Sequence, residues 1–354
     1  MKINIILPAI GHSGGIDVVY KYVEILTLWG HNIIVYKQIK APNMHRYNSQ
    51  LKNYVHQIYC SLKAVKAANK KIYKYDRFVF EINNNSIREA DVIIATSWPT
   101  TFKVNKLANS KGKKYYFIQD YEIWDNKIYG IKSYEFPLNK IVISSWINKK
   151  LKEELDIGPF PIVLNGLDLK KYHNNNKIYK MPGASFQFLM LNHRLKKKGI
   201  QNGIEVFERI KQRYPNSKLK MFGMCPRGNL PEYIDYIQNP SQDLIVKMYS
   251  TSDIFIFPSL EEGWGLTPLE AMACECAVVA TRTGFVLDLG KHEDNMMISN
   301  PGDIEDMVNN IEKLINDTKL LKKISCNGKK TANQLNWEDS CEKLLKILKN
   351  YNVE

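Results

Sequence analysis

Short uninterrupted apolar runs alternate along this chain with stretches in which apolar positions recur every three or four residues. Residues 3–8 (INIILP) predict a buried strand, and after the loop AIGHSGG the positions Ile16, Val19, Tyr20, Val23 and Leu26 predict a helix. Gly30 ends that helix and NIIVY opens a second strand. Val92–Ala95, Tyr115–Ile118 and Ile141–Ile143 are further candidate strands of a first doubly wound unit, ending near Ile162–Leu164. The stretch 165–185 (NGLDLKKYHNNNKIYKMPGAS) is polar and turn-rich and reads as a hinge. A second series follows, with strand candidates FQFLML (186–191), KLKMFG (218–223), DLIVKMY, DIFIFPS (253–259) and AVVAT (277–281). It closes in paired helical patterns between Asp303 and Leu335. Strand and helix alternation is the α/β pattern. The expected fold is two Rossmann-like, doubly wound parallel-sheet domains facing a cleft. Residues 1–165 would form the first and 166–337 the second, with a last helix, 338–354, packing back on the first.

Composition bounds the function only loosely. At 354 residues with 44% hydrophobic and 24% charged positions, the chain has the profile of a soluble two-domain protein. Its net charge of +14 has two readings: a compositional bias toward Lys, or a basic face for anionic lipid, nucleic acid or a phosphorylated substrate. No window approaches the ~20 apolar residues of a membrane span, and the start MKINIILPAI reads as a strand rather than a secretion signal. Cys60, Cys225, Cys274, Cys276, Cys326 and Cys341 form no C-x2-C pair and have no His at zinc spacing. Cys274 and Cys276 sit in an apolar run and are expected to be buried thiols. A reduced, cytoplasmic setting is expected, with no metal and no cofactor.

The chemistry concentrates in residues 258–270, PSLEEGWGLTPLE. Thr267, Pro268 and Glu270 have the spacing of a helix start, and one reading of Glu270 is a capping box on Thr267. The loop before them supports another. Gly263 and Gly265 flank Trp264 and let the backbone approach a ligand. A helix start offers free N–H groups and a positive dipole end to an anion such as a diphosphate. Glu262 and Glu270 would then hold sugar or ribose hydroxyls on either side of it. That combination describes a nucleotide-sugar site.

EGWGLTPLEAMA resembles the E-x7-E signature of the family-4 retaining glycosyltransferases, which have the GT-B fold. The resemblance extends in order through the SGG loop and GHNIIVY, NGLDLKKY, HRLKKKG, MYSTSDIFIFPSLEEGWGL and Trp337 in LNWEDS. FIQDYEIW and the EGWG spelling look most like bacterial transferases that build surface polysaccharides, including rhamnosyltransferase-like members. The resemblance implies that Glu262 faces the donor sugar hydroxyls and Glu270 the ribose. Backbone amides of Gly263, Trp264, Gly265 and Leu266 would line sugar and diphosphate. Arg194 and Lys198 match the basic pair that neutralises the diphosphate, although their spacing of four leaves Lys196 or Lys197 open for the second role. Gly14 and Gly15 match the glycine loop of the first domain.

Some positions depart from the family pattern. Glu275 stands where Gly is usual and is expected to be a solvated surface residue. Asp288 is the acid after Gly284-Phe285, where no role is assigned. Many relatives carry a His after the strand matching YYFI, and this chain has Gln119-Asp120-Tyr121-Glu122. Asp120 and Glu122 would orient or deprotonate the acceptor hydroxyl; the alternative is one loop cap and one solvated acid. Tyr121 and Trp124 would stack on a sugar or pack. His12 would touch phosphate or acceptor, and His193 would lie near the diphosphate. Nucleobase contacts are expected from the loop 236–242 (YIQNPSQ). The Lys-rich segment 47–74 reads either as an interfacial helix for anionic lipid or as a plain solvated helix.

The implied activity is retaining, metal-independent transfer of a sugar from a nucleotide-diphosphate donor to a hydroxyl of a glycan or lipid-linked acceptor, in surface polysaccharide biosynthesis. It would take place in the cytoplasm, with peripheral contact at the inner membrane face. Two rivals remain: a nucleotide-sugar epimerase on the same fold, and a basic nucleic-acid-binding protein. The chain carries no recognised nucleic-acid motif, and GHSGG is not the dinucleotide fingerprint of a dehydrogenase.

Overall fold

The computed structural model describes residues 1–8, 14–42, 47–68, 73–174 and 176–350, without the side chains of residues 67 and 350. The chain divides into two compact units. One comprises residues 1–143, 147–164 and 337–354, the other residues 144–146 and 165–336.

The first unit contains strands β1 (Lys2–Leu7), β2 (Asn32–Gln38), β3 (Asp76–Val79), β4 (Val92–Ala95), β5 (Lys113–Ile118) and β6 (Asn139–Val142). Its helices are α1 (Gly14–Leu28), α2 (Gln50–Ala68), α3 (Trp98–Asn105), α4 (Lys127–Glu135), α5 (Ser145–Leu155, whose first two residues group with the second unit) and α12 (Trp337–Asn350). The sheet is parallel, in the order β3-β2-β1-β4-β5-β6. The central strands are buried over nearly their whole length, which is why they read as continuous apolar runs. Ile5 lies opposite Val35 on one side and Ile94 on the other. Helix α12 packs on α1, with Trp337 edge-on to Tyr22 at 5.3 Å. The Tyr115 hydroxyl donates to the Leu348 carbonyl at 3.3 Å.

The second unit repeats the plan. Its strands are β7 (Gln187–Leu191), β8 (Lys218–Gly223), β9 (Asp235–Gln238), β10 (Ile254–Phe257), β11 (Ala277–Thr281) and β12 (Met297–Ser299). Its helices are α6 (Ile200–Arg213), α7 (Gln242–Thr251), α8 (Leu266–Ala273), α9 (Val286–Leu289), α10 (Ile304–Asn316) and α11 (Thr318–Ala332). The parallel sheet runs β12-β11-β10-β7-β8-β9. Phe188, Met190, Phe207, Ile256, Val279 and Ile311 belong to its core.

In each sheet the chain starts in the middle, winds to one edge, returns, and winds to the other. The strand order therefore reverses at β1/β4 and at β7/β10. Loops leaving the carboxyl ends of such neighbours diverge and leave a crevice, where doubly wound folds bind ligands.

The structure corrects three readings. DLIVKMY is not a strand but part of α7: Ser241 caps it by accepting from the Leu244 N–H at 3.3 Å. A short apolar run does not by itself distinguish strand from helix. The stretch taken as a base-binding loop begins instead inside β9. The supposed hinge carries buried Leu167 and Tyr172 and groups with the second unit.

Candidate active site

In the second unit the two informative loops leave adjacent strands at the reversal point. Residues 192–199 follow β7 and residues 258–265 follow β10. They are joined directly, since the Leu260 and Glu261 N–H groups donate to the Lys197 carbonyl at 2.7 and 3.2 Å. Close packing there requires glycine. A Cβ on Gly199 would stand 2.0 Å from the Pro258 carbonyl oxygen, and its φ is +62°.

Lys198 Nζ meets Glu262 Oε2 at 2.5 Å, with both side chains mostly shielded from solvent. Lys198, one of the lysines considered for the second cationic role, is thus held against the first acid of the E-x7-E pair. Arg194 and Lys196 are exposed. His193 accepts from the Leu195 N–H at 3.1 Å, and partial desolvation, then the charges of Lys198 and Lys197, lower its pKa.

The EGWG loop is fixed from several sides. The Gly263 carbonyl accepts from the Ser144 hydroxyl at 2.6 Å, and the Trp264 carbonyl from the Phe285 N–H at 2.8 Å. Trp264 is buried, with no hydrogen-bond partner for its indole N–H. Gly265 adopts φ +99° and is the N-cap of α8, two residues before Thr267, the cap that the sequence suggests. No side chain caps this helix start. Its first N–H groups are left for an incoming acceptor, and Pro268 has none to satisfy.

The capping-box reading of Glu270 is overturned. Glu270 lies in the first turns of α8, and its Oε2 accepts from the Tyr249 hydroxyl on α7 at 2.9 Å. The Tyr172 hydroxyl, which donates to Gln242 Oε1 at 3.1 Å, is a second phenol near Glu270. Burial raises the Glu270 pKa, and the two tyrosines pull it partly back. Neither tyrosine was found from sequence, because one lay in a supposed strand and the other in a supposed hinge. Glu275 is a further correction. It sits at φ +62°, partly buried, accepting from Tyr179 at 2.5 Å and pairing with Lys329 at 3.0 Å. A left-handed position explains why glycine is usual there, and the two bonds hold a glutamate in its place. Cys274 and Cys276 are buried thiols, as expected.

In the first unit, Gly14 and Gly15 open α1, and a Cβ on Gly15 would stand 3.3 Å from Gln119 Oε1. That amide oxygen is buried without a hydrogen-bond partner. His12, with the rest of residues 9–13, lies outside the described residues. Asp120 is partly exposed, and its Oδ1 accepts from the Tyr121 N–H at 2.9 Å. Glu122 is not placed as the expected acceptor-facing acid. It is buried, and Oε2 accepts from the Trp98 N–H at 2.5 Å and the Tyr116 hydroxyl at 2.8 Å. It thereby occupies the first N–H of α3. Burial, chiefly, raises its pKa to about 8. Tyr121 is buried and stacked on Tyr134, so its ring packs rather than facing a sugar, whereas Trp124 is exposed.

The same architecture occurs in solved structures over nearly the whole chain. A sucrose-phosphate synthase from Thermosynechococcus elongatus matches with a TM-score of 0.73 at 17% identity, covering 98% of each chain. HepE from Anabaena matches with a TM-score of 0.69 at 15% identity, covering 98% of this chain and 99% of that one. At such identities the likeness is one of fold, and the class so defined is GT-B, with two Rossmann-like domains. Residues 172–331 match the family model of the glycosyl transferases group 1. The match takes in most of the second unit and just under half of the chain. Among curated proteins, the capsular polysaccharide biosynthesis glycosyltransferase CapM of Staphylococcus aureus is 30% identical over 194 residues. That alignment covers 49% of this chain and 51% of CapM, so the chain spans about half the length of this relative. No helix among the described residues is long and apolar enough to cross a membrane.

Proposed function

We propose that the protein transfers a sugar from a nucleoside-diphosphate donor to a hydroxyl of a glycan or lipid-linked acceptor, as a step in building a surface polysaccharide. The observation that carries this reading is the pair of anchored carboxylates around the uncapped start of α8. Glu262 is held by Lys198 on one side, and Glu270 by Tyr249 on the other. Carboxylates suit hydroxyls, and a helix start suits a diphosphate. CapM is named for capsular polysaccharide biosynthesis, and HepE has been crystallised with UDP and glucose, which supports a donor of this class.

In this reading Glu262 accepts from the donor sugar hydroxyls and Glu270 from the ribose. The amides of Gly263, Trp264, Gly265 and Leu266 face the sugar and the diphosphate. The leaving diphosphate gains negative charge as the glycosidic bond breaks, and stabilising that charge is the main electrostatic task. One donor of the Lys198 ammonium is committed to Glu262, leaving two for a phosphate oxygen. Arg194 adds a second cation, and the protein's own charges make the transfer independent of a metal ion or other cofactor. The reaction retains the anomeric configuration, with the leaving phosphate receiving the acceptor's proton on the same face. In the first unit, Gly14 and Gly15 approach the phosphates, and Asp120 orients the acceptor.

The test is thermal stabilisation of the protein by UDP, GDP, dTDP, ADP and CMP and their sugar conjugates, beside Glu270→Ala. A ligand at a hundred times its Kd adds ~2.7 kcal/mol. One nucleoside diphosphate should stabilise the wild type and act more weakly on Glu270→Ala, with transfer unaffected by EDTA and the product anomer matching the donor by NMR. A folded protein that answers to none of these ligands, or that consumes donor equally without acceptor, sinks the proposal.

A further inference from the structure

Helix α2 of the first unit is amphipathic in the inverted sense. Leu51, Tyr54, Val55, Ile58, Leu62 and Val65 recur at helical spacing, and all are exposed, Leu51 at 72%, Leu62 at 65% and Tyr54 at 60%. A solvent-facing helix normally turns such a stripe inward. Here the inward face is small and polar, and it is bonded in place. Asn53 is buried and exchanges two hydrogen bonds with the Tyr47 backbone, at 2.8 and 2.7 Å. Gln57 donates to the Ala41 carbonyl at 2.7 Å, and the Ser61 hydroxyl accepts from the Ala41 N–H at 3.0 Å. Ala64 is fully buried. Rotating the stripe inward would bury and break all four bonds, so the outward orientation is specified by the sequence. A contiguous exposed apolar face of this kind marks an interaction surface.

The charge beside it selects the occupant. Lys52, Lys63 and Lys66 are exposed along one flank of the stripe, and residues 50–68 contain no Asp or Glu. Lys63 lies 4.3 Å from the ring centre of Tyr59, whose hydroxyl end adds a further amphipathic group to the face. A second copy of this chain, docked symmetrically on α2, would set lysines against lysines. An anionic lipid surface instead accepts the apolar stripe into its acyl boundary and the ammonium groups at its phosphates. We propose that α2 is a membrane-docking helix that lies in the plane of an anionic bilayer, apolar face down. This inference does not depend on the sugar-transfer reading.

The test is co-sedimentation of the full chain with vesicles of phosphatidylcholine alone and of phosphatidylcholine with phosphatidylglycerol. The wild type should pellet with the anionic vesicles and stay in solution with the neutral ones, less so as salt rises. A near-surface basic residue contributes about a factor of five to partitioning, so the combined variant K52Q/K63Q/K66Q should bind about a hundredfold more weakly. The variant L51S/I58S/L62S should lose binding as well. All six positions are exposed, so both variants should keep the wild-type melting temperature and nucleotide response. Failure of the wild type to bind anionic vesicles, or undiminished binding by the serine variant, overturns the proposal. So does light scattering that shows a wild-type dimer, lost in the serine variant, in place of vesicle binding.

Discussion

The hydroxyl of Tyr249 on α7 donates to the carboxylate of Glu270 on α8 across 2.9 Å. The bond connects the acid expected at the ribose to a buried aromatic side chain that no donor needs to touch. Glu270 already has a pKa above its ordinary value because of burial, and Tyr249 is the first of three groups pulling it down, ahead of Tyr172 and Lys171. Tyr249→Phe removes that donor and raises the pKa further. A protonated carboxyl accepts hydrogen bonds more weakly, so donor affinity should drop by roughly tenfold, the worth of one hydrogen bond to a charged group. The deficit should widen as pH falls from about 8 to 5, because the variant protonates first. Calorimetric titration of the preferred nucleoside diphosphate over that range checks it. A pH-independent deficit would mean that the proton on Glu270 is irrelevant to binding.

Gly284 supports the EGWG loop from behind. A Cβ there would stand 2.3 Å from the Trp264 carbonyl oxygen, at a φ of +52°. Gly284→Ala meets backbone rather than a yielding side chain, and it adds left-handed strain. It should cost about 1–3 kcal/mol in a urea titration and weaken nucleotide binding through the displaced loop. Gly183 also has positive φ, at +85°, but nothing lies within 4 Å of its would-be Cβ. Gly183→Ala should therefore cost less and leave nucleotide binding alone. Equal binding losses in the two variants would separate the loop from the site.

Much of this was legible before any coordinates. KLKMFG and AVVAT are strands with the bounds read from the sequence, because parallel central strands are apolar on both faces. Gly263 and Gly265 announced a close-approach loop for a reason that geometry repeats. The misreadings have a common physical origin: local pattern says nothing about which side chain a distant element will supply. Tyr172 and Tyr249 reach Glu270 only after the fold brings 165–185 and α7 beside α8. The acid at position 122 was legible as an acid after a strand, but its burial under Trp98 and Tyr116 was not. The inverted helix α2 was readable as amphipathic, while its outward orientation depends on hydrogen bonds to Ala41 and Tyr47.

Lys198 and Glu262 form a shielded ion pair inside the candidate site, so each protects the other from burial alone. Lys198→Met should leave a carboxylate without its cation and cost on the order of 1–3 kcal/mol, less than a fully buried pair would lose. Glu262→Gln keeps an acceptor for Lys198 and should cost less. Transfer should fall by about 10²–10³ in kcat for Lys198→Met if the ammonium faces the leaving diphosphate. A double-mutant cycle in denaturant separates the pair's own coupling from each side chain's other effects. Wild-type kcat in a folded Lys198→Met protein would remove this lysine from the chemistry.

Glu122 gives the most direct contrast between a supporting acid and a reacting one. Burial raises its pKa from near 4.5 to about 8, so between these values the folded chain holds a proton that the unfolded chain has released. Binding more protons when folded makes stability fall as pH rises. The contribution is largest below about pH 4.5 and is lost as pH climbs through about 8, with a slope of at most ~1.4 kcal/mol per pH unit. Glu122→Gln does not titrate, keeps an amide oxygen for the Trp98 and Tyr116 donors, and should flatten that slope in melting curves taken from about pH 5 to 8. Its transfer rate should stay within about tenfold of wild type, whereas losing a general base costs about 10²–10⁴. A folded Glu122→Gln protein with a rate loss in that larger range would return the residue to the reaction. It would then require the acid to leave its place at the start of α3.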